Sequence, residues 1–252
     1  MIAGLYTAAN GLVAIERMQS ATANNIANSS TNGFKSHTPA NEGFYEVFMT
    51  QARGPGAFRG ARAPGGGVRV AETYNNYRQG TLQLTGDPLH IALEGPGFLA
   101  VDTAEGERFT RDGALTVDTE GHLATHSGHK LQNVTGGYID ARGGRIEIDP
   151  EGNVFIDRVP AGQVRVLEFA DPQALQRAGD NLYLAPQDAI DQAEGAAATR
   201  VLQSSLEASN VDIPREMINL MLGTRAYEAN HRSILAADET ISRLIDQVGM
   251  PR

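Results

Sequence analysis

The sequence predicts an α+β chain: N- and C-terminal helices that pair in a coiled-coil-like axial domain, with an all-β central domain looped out between them. Two terminal segments carry apolar residues at steps of three and four, the period of a helix face. Between them, short apolar alternations are broken at close intervals by turn dipeptides, as in a β-meander. The 28 glycines in 252 residues, well above ordinary usage, suit a chain rich in turns. The resulting division gives an N-terminal axial helix and turn in residues 1–50, a linker or long loop in 51–69, the β domain in 70–205 and the C-terminal axial helix in 206–252.

In the first segment Ile2, Leu5, Ala9 and Leu12 step along one face, and Ile15, Met18 and Thr22 continue it slightly rotated. Gly4 and Gly11 each weaken the helix by about 1 kcal/mol relative to Ala. Alone, such a helix is marginal in water and needs a partner. The stretch from Arg53 to Arg69 then holds six Gly, two Pro and four Arg with no acidic residue. Gly keeps it flexible and Pro discourages helix, so it reads as a linker. Its arginines could meet phosphate or anionic lipid, but solvation or pairing with the acidic remainder is the plainer reading.

Strand signals fill residues 70–201. Phe109 leads into Arg111-Asp112-Gly113, Leu115 and Val117 alternate before Thr119-Glu120-Gly121, and Leu123 precedes Ser127-Gly128. Residues 145–149 and 153–157 flank Pro150-Glu151-Gly152 and read as a hairpin. At the C-terminal end Ile213, Met217, Leu220, Thr224, Tyr227, His231, Ile234, Asp238, Ile241, Ile245 and Val248 alternate steps of four and three, the spacing of a coiled-coil seam. Pro214 suits a first helical turn, and Asp212 is placed to accept from its unpaired N–H groups. A seam of about 35 residues spans ~50 Å, longer than a domain of this size comfortably covers. An apolar stripe left over then faces another molecule.

Composition removes several classes of function. A net charge of −9 disfavours a nucleic-acid partner, because phosphate binding needs concentrated positive charge. The absence of Cys excludes disulfides and thiolate chemistry. No stretch approaches the ~20 apolar residues of a membrane span, and the first basic residue is Arg17, which leaves out the cationic start of a secretory signal. His122, His126 and His129 invite a metal reading. However, His122 and His126 would lie about 13 Å apart along a strand, too far for one zinc. Glu147 and Asp149 resemble an acid/base pair only by spacing and read as solvated strand positions. No nucleophile elbow, phosphate loop or dinucleotide fingerprint is present. The expectation is therefore no enzyme, no metal and no cofactor. A β-sheet ligand-binding module and a metal-dependent hydrolase stand as distant rivals.

Four blocks in order, GLYTAANGLVAIERMQSATANNIANSSTNGFKS, GTLQLTGDPLHIALEGPGFLAV, RFTRDGALTVDTEGHLATHSGH and LEASNVDIPREMINLMLGTRAYEANHRSILAADETI, resemble the flagellar basal-body rod and hook family over nearly the whole chain. The length is too short for the hook protein's extra domains. The words TGDPL, LEFADPQAL and AGDNLY lean towards the proximal-rod type over the distal-rod type. The resemblance implies a structural protein in the periplasmic rod, exported by the flagellar type III apparatus. Its implied partners are copies of itself and other rod proteins of the FlgB, FlgC and FlgG types. Three departures stand out. His90 occupies a commonly acidic position, Leu99 replaces the second Phe of a usual pair, and Gly249–Arg252 carries no recognisable signal.

The segment NNIANSSTNGFK at 24–35 has almost nothing to bury. Short amide and hydroxyl side chains bond nearby backbone and favour turns. Gly33 supplies a positive φ that other residues resist, and Phe34 is then the apolar anchor. The plainer alternative is a helix cap followed by loop. Because Asn24, Asn25 and Asn28 cannot share one direction, part of this set is expected to reach neighbouring subunits, together with Thr31 and Asn210. With the helix faces Ile2, Leu5, Leu12 and Met18, and Ile213, Met217, Leu220, Tyr227, Ile234, Ile241 and Ile245, these residues form the expected assembly interface.

Overall fold

The computed structural model describes residues 2–43, 68–195 and 198–248. Helix α1 spans Ile2–Ala27, and strands β1 (His37–Gly43) and β2 (Val68–Asn75) pair with each other. Residues 51–67 of the expected linker lie outside the described set, as does the tail from 249. Next come β3 (Leu82–Leu84), β4 (Ile91–Glu94), the hairpin β5 (Phe98–Thr103) and β6 (Gly106–Thr110), and a meander of β7 (Leu115–Val117), β8 (Leu123–Thr125) and β9 (Lys130–Leu131). A separate antiparallel sheet holds β10 (Ile146–Ile148), β11 (Asn153–Ile156) and β12 (Val159–Gln163). Strand β13 (Val166–Glu168) returns to β5, and the hairpin β14 (Gln176–Gly179) and β15 (Leu182–Leu184) extends the main sheet beside β6. After the short helix α2 (Gln187–Asp191) and β16 (Glu194–Gly195), β17 (Arg200–Gln203) pairs with β4 and β18 (Ser205–Glu207) with β3. Helix α3 occupies Ile213–Val248.

The α+β class is as expected, with a helix at each end and a β-rich middle. The chain forms two compact units, each discontinuous in sequence. One holds residues 1–27, 37–74 and 212–252, and the other holds 28–36 and 75–211. The turn that follows α1 therefore belongs with the strands.

Within the β-rich unit, the last strands close on the first, with Leu82 opposite Glu207 and Ile91 opposite Gln203. The expected hairpin is present, pairing Ile146 with Ile156 and Ile148 with Val154. Strand β5 shows how the core is laid out. Its run Phe98-Leu99-Ala100-Val101 is buried throughout because both faces are covered. Leu99 and Val101 join the aliphatic cluster with Ile91, Leu123 and Leu131. Phe98 and Ala100 join the aromatic cluster with Phe109, Phe169 and Tyr183. Those rings meet edge to face, as at Phe109 and Phe169, 5.0 Å apart at 80°.

In the other unit α1 and α3 run antiparallel. Asn25 Nδ2 donates to Glu216 Oε1 (3.1 Å), Gln19 Nε2 donates to Thr224 Oγ1 (3.3 Å), and Gly11 faces Asn230, so the numbers rise on one helix as they fall on the other. Asp212 caps α3 as expected, its Oδ1 accepting from the Arg215 N–H. The seam read from sequence has the right period, but among its residues of described burial only Leu220 and Ile234 fall on the covered side. The covered side of α3 runs through Glu216, Leu220, Gly223, Ala226, Asn230, Ile234 and Ala237, mostly small or polar residues. Ile213, Met217, Ile218, Met221, Leu222, Tyr227 and Leu235 are exposed. A small stripe lets the helices approach closely. A Cβ on Gly223 would already stand 3.1 Å from Gln19 Cγ.

Candidate functional site

Residues 28–36 make a tight turn on the β-rich unit. The Thr31 N–H donates to the Asn28 carbonyl (3.2 Å) and its hydroxyl to Asn28 Oδ1 (3.2 Å), turning the chain at the end of α1. Gly33 takes φ +65°, as its identity suggested. Its N–H donates to the Glu207 carbonyl at 2.7 Å, and a Cβ there would stand 2.2 Å from the carbonyl oxygen of Arg111. Positive φ and close backbone approach thus both require glycine. Phe34 is buried beyond the turn, with the Arg177 guanidinium 4.8 Å over its ring.

Beneath the turn lies a buried charge cluster. Lys35 Nζ donates to Glu207 Oε1 at 2.5 Å and to the Arg78 carbonyl at 3.0 Å. Arg111 Nη1 reaches Glu207 Oε2 at 3.3 Å, while its Nη2 donates to the Gly95 carbonyl at 2.7 Å. Glu207 Oε1 also accepts from the Gly80 N–H at 2.7 Å. Lys35 and Glu207 are each 1 % exposed, so the carboxylate is the near counter-charge for two desolvated cations. Burial pushes the Lys35 amine down from its usual range, and the Glu207 charge only partly opposes this. Burial also lowers Arg111, whose guanidinium lies 4.9 Å over the Phe98 ring.

Two further elements grip the turn. The β14–β15 hairpin supplies Arg177, whose Nε donates to Asn75 Oδ1 (2.8 Å) and whose Nη2 donates to the Lys35 carbonyl. It also supplies Asn181, at φ +59° in the hairpin bend, whose Nδ2 donates to the Asn32 carbonyl (2.8 Å). From the other side, Asn210 accepts from the Ser36 N–H at 2.7 Å and donates to the carbonyls of Asn76 (2.7 Å) and Arg78 (2.9 Å). One amide thus ties together the three segments through which the chain enters and leaves the β-rich unit.

The expected interface residues take several places. Asn25, expected among those reaching outward, is buried. Its amide donates to the His37 carbonyl (2.8 Å) and to Glu216, and its Oδ1 accepts from the His37 N–H (3.1 Å). Gly33, Phe34 and Asn210 are likewise used within one unit. Leu12, Met18, Leu220 and Ile234 are half-buried, Asn24 is exposed, and the side chains of Ile2, Leu5, Ile241 and Ile245 fall outside the described set. Lys35, Arg111, Arg177 and Glu207 were not singled out from sequence. Lys35 and Arg111 stand in turn-forming stretches, and nothing local says that residues 35 and 207 meet.

The chemistry of this cluster is holding, since its charged groups are paired under cover. Elsewhere Asp118, Glu120 and His122 bring possible ligand atoms within 4.8 Å of one another. The Lys130 ammonium already lies 2.5 Å from Glu120 and 3.6 Å from Asp118. Asp149 serves its own turn, accepting from the Asn153 N–H at 2.7 Å and from its amide at 2.8 Å. No described helix is long and apolar enough to cross a membrane.

The two ends of the chain form a helix pair, and the β-rich unit between them in sequence carries its own buried charge cluster. The family model "Flagella basal body rod protein" matches residues 5–35, "Flagellar hook protein FlgE/F/G D1 domain" matches 92–156, and "Flagellar basal body rod FlgEFG protein C-terminal" matches 202–247. The chain is 32% identical over 260 residues to the flagellar basal-body rod protein FlgG of Buchnera aphidicola subsp. Schizaphis graminum, covering 97% of this chain and 99% of that one. It is 28% identical to FlgG of Bacillus subtilis, over 98% and 99% of the two chains. To FlgF of Caulobacter vibrioides it is 29% identical, over 97% of each. The chain belongs to the flagellar basal-body rod protein family.

Proposed function

We propose that this protein is a structural subunit of the flagellar rod that joins copies of itself and other rod proteins through α1 and α3, transmitting torque without chemistry. The observation that carries this is the row of exposed Met217, Ile218, Met221, Leu222 and Leu235 on α3. Large apolar side chains in sequence-periodic order, left uncovered by the chain's own helix pair, suit burial against further helices in a coiled-coil-like axial packing. A heterologous contact of this kind can extend without closing. The partners in this reading are rod proteins of the FlgB, FlgC and FlgG types, with export by the flagellar type III apparatus to a rod in the periplasm.

The resemblance to FlgG relatives favours a distal-rod position, whereas TGDPL, LEFADPQAL and AGDNLY lean to the FlgF, proximal type. All three words have local structural work: Asp87 Oδ1 accepts from the Leu89 N–H, Asp171 Oδ1 accepts from the Gln173 N–H, and Asp180 and Asn181 form the bend that holds Asn32. Turn residues of this kind serve any member with the same turn, so the FlgG relatives favour the distal-rod reading. Imaging basal bodies with and without this chain tests the reading. Loss of a rod segment is expected, and an intact rod throughout would overturn it.

A further inference from the structure

We infer that residues 28–36 form a latch on the β-rich unit that locks only when the far end of the chain is in place, with Glu207 as the bolt between Lys35 and Arg111. Lys35 and its anion are 172 residues apart. Before β18 is in place, a turn docking beside Arg111 would bring one buried cation towards another with no carboxylate between them. When β18 pairs with β3, Glu207 arrives between the two cations and its carbonyl receives the Gly33 N–H. Asn210, three residues on, then ties Ser36 to Asn76 and Arg78. The N-terminal turn is thereby held by groups that come last in the chain, so a chain lacking its final β-strand cannot set the turn from which α1 leaves.

Hydrogen exchange on the full chain tests it. Glu207→Gln keeps the shape, the Gly80 acceptor and the backbone bond to Gly33, but leaves two buried cations without their anion. Exchange at the Gly33 and Asn210 amides is expected to rise about a hundredfold, the effect of stranding a buried charge, while the amides shared by β5 and β6 stay within about threefold. Lys35→Met, which leaves Glu207 paired with Arg111, is expected to raise exchange at the same turn amides by about tenfold. Unchanged turn protection in either variant would overturn the inference. So would equal loss of protection in β5 and β6, because Glu207 would then be holding the entire unit. If Glu207→Gln does not accumulate folded, Lys35→Met carries the same two outcomes.

Discussion

At Gly33 two requirements coincide, positive φ and a backbone contact that leaves no room for a Cβ. Gly86 has the first alone, with φ +79° and nothing near a built Cβ. Gly86→Ala is therefore expected to cost about 1 kcal/mol. Gly33→Ala should cost more than about 2 kcal/mol, since the Arg111 carbonyl must also move. Urea midpoints of the two variants measure the difference directly. Tyr77 gives a second residue-scale expectation. Burial pushes its hydroxyl up from 10.0 to about 12. The unfolded chain loses this proton first, so the contribution to stability is complete below pH 10 and is lost as pH rises towards 12. Tyr77→Phe should flatten the fall of the urea midpoint across that window, with late tyrosinate absorbance disappearing alongside. At this scale the sequence was partly readable. Gly33 announced its φ through a run of turn formers, and Phe34 its burial. Lys35 and Glu207 did not announce each other, because an ion pair across 172 residues leaves no local pattern.

The helices show what periodicity does and does not carry. Steps of three and four located α3 correctly, and Asp212 and Pro214 marked its start. The phase was not readable, because a heptad count ranks apolar residues by size while an antiparallel neighbour at close range selects small ones. Ala14 and Ala21 are buried on α1, and Gly223 is covered on α3. Leu220 is half-buried and Met221 is exposed, so adjacent positions separate the two contributions. Met221→Asp should leave the unfolding of the free chain within about 0.5 kcal/mol and still prevent assembly, seen by sedimentation. Leu220→Asp should lower stability and assembly together. Normal assembly of Met221→Asp would remove the exposed row as the joining surface. The β strands were readable for a different reason: glycines at positive φ, such as Gly121, Gly128 and Gly152, punctuate them at the bends.

For the whole molecule, what matters is where one compact unit ends. Composition drew the boundaries after residues 50, 69 and 205, which leaves the turn and Glu207 with the helices. Contacts within the β-rich unit include both, since residues 28–36 are packed there and Glu207 pairs with Leu82. Composition changes where sequence character changes, whereas a unit ends where its buried charges are satisfied. This distinction predicts how the chain responds to being cut. A fragment of residues 28–211 retains Lys35, Arg111, Glu207 and the Asn210 ties, and should unfold in one cooperative urea transition. A fragment of residues 37–211 keeps every strand from β3 to β18 and the Arg111–Glu207 pair, but loses Lys35 and the buried Phe34. It should be weaker by about 1–2 kcal/mol, the loss of the Lys35 hydrogen bonds to Glu207 and the Arg78 carbonyl. Neither fragment has the helix pair, so neither should form rods in electron micrographs. Equal urea midpoints for the two fragments would mean that the turn rests on a unit already complete without it.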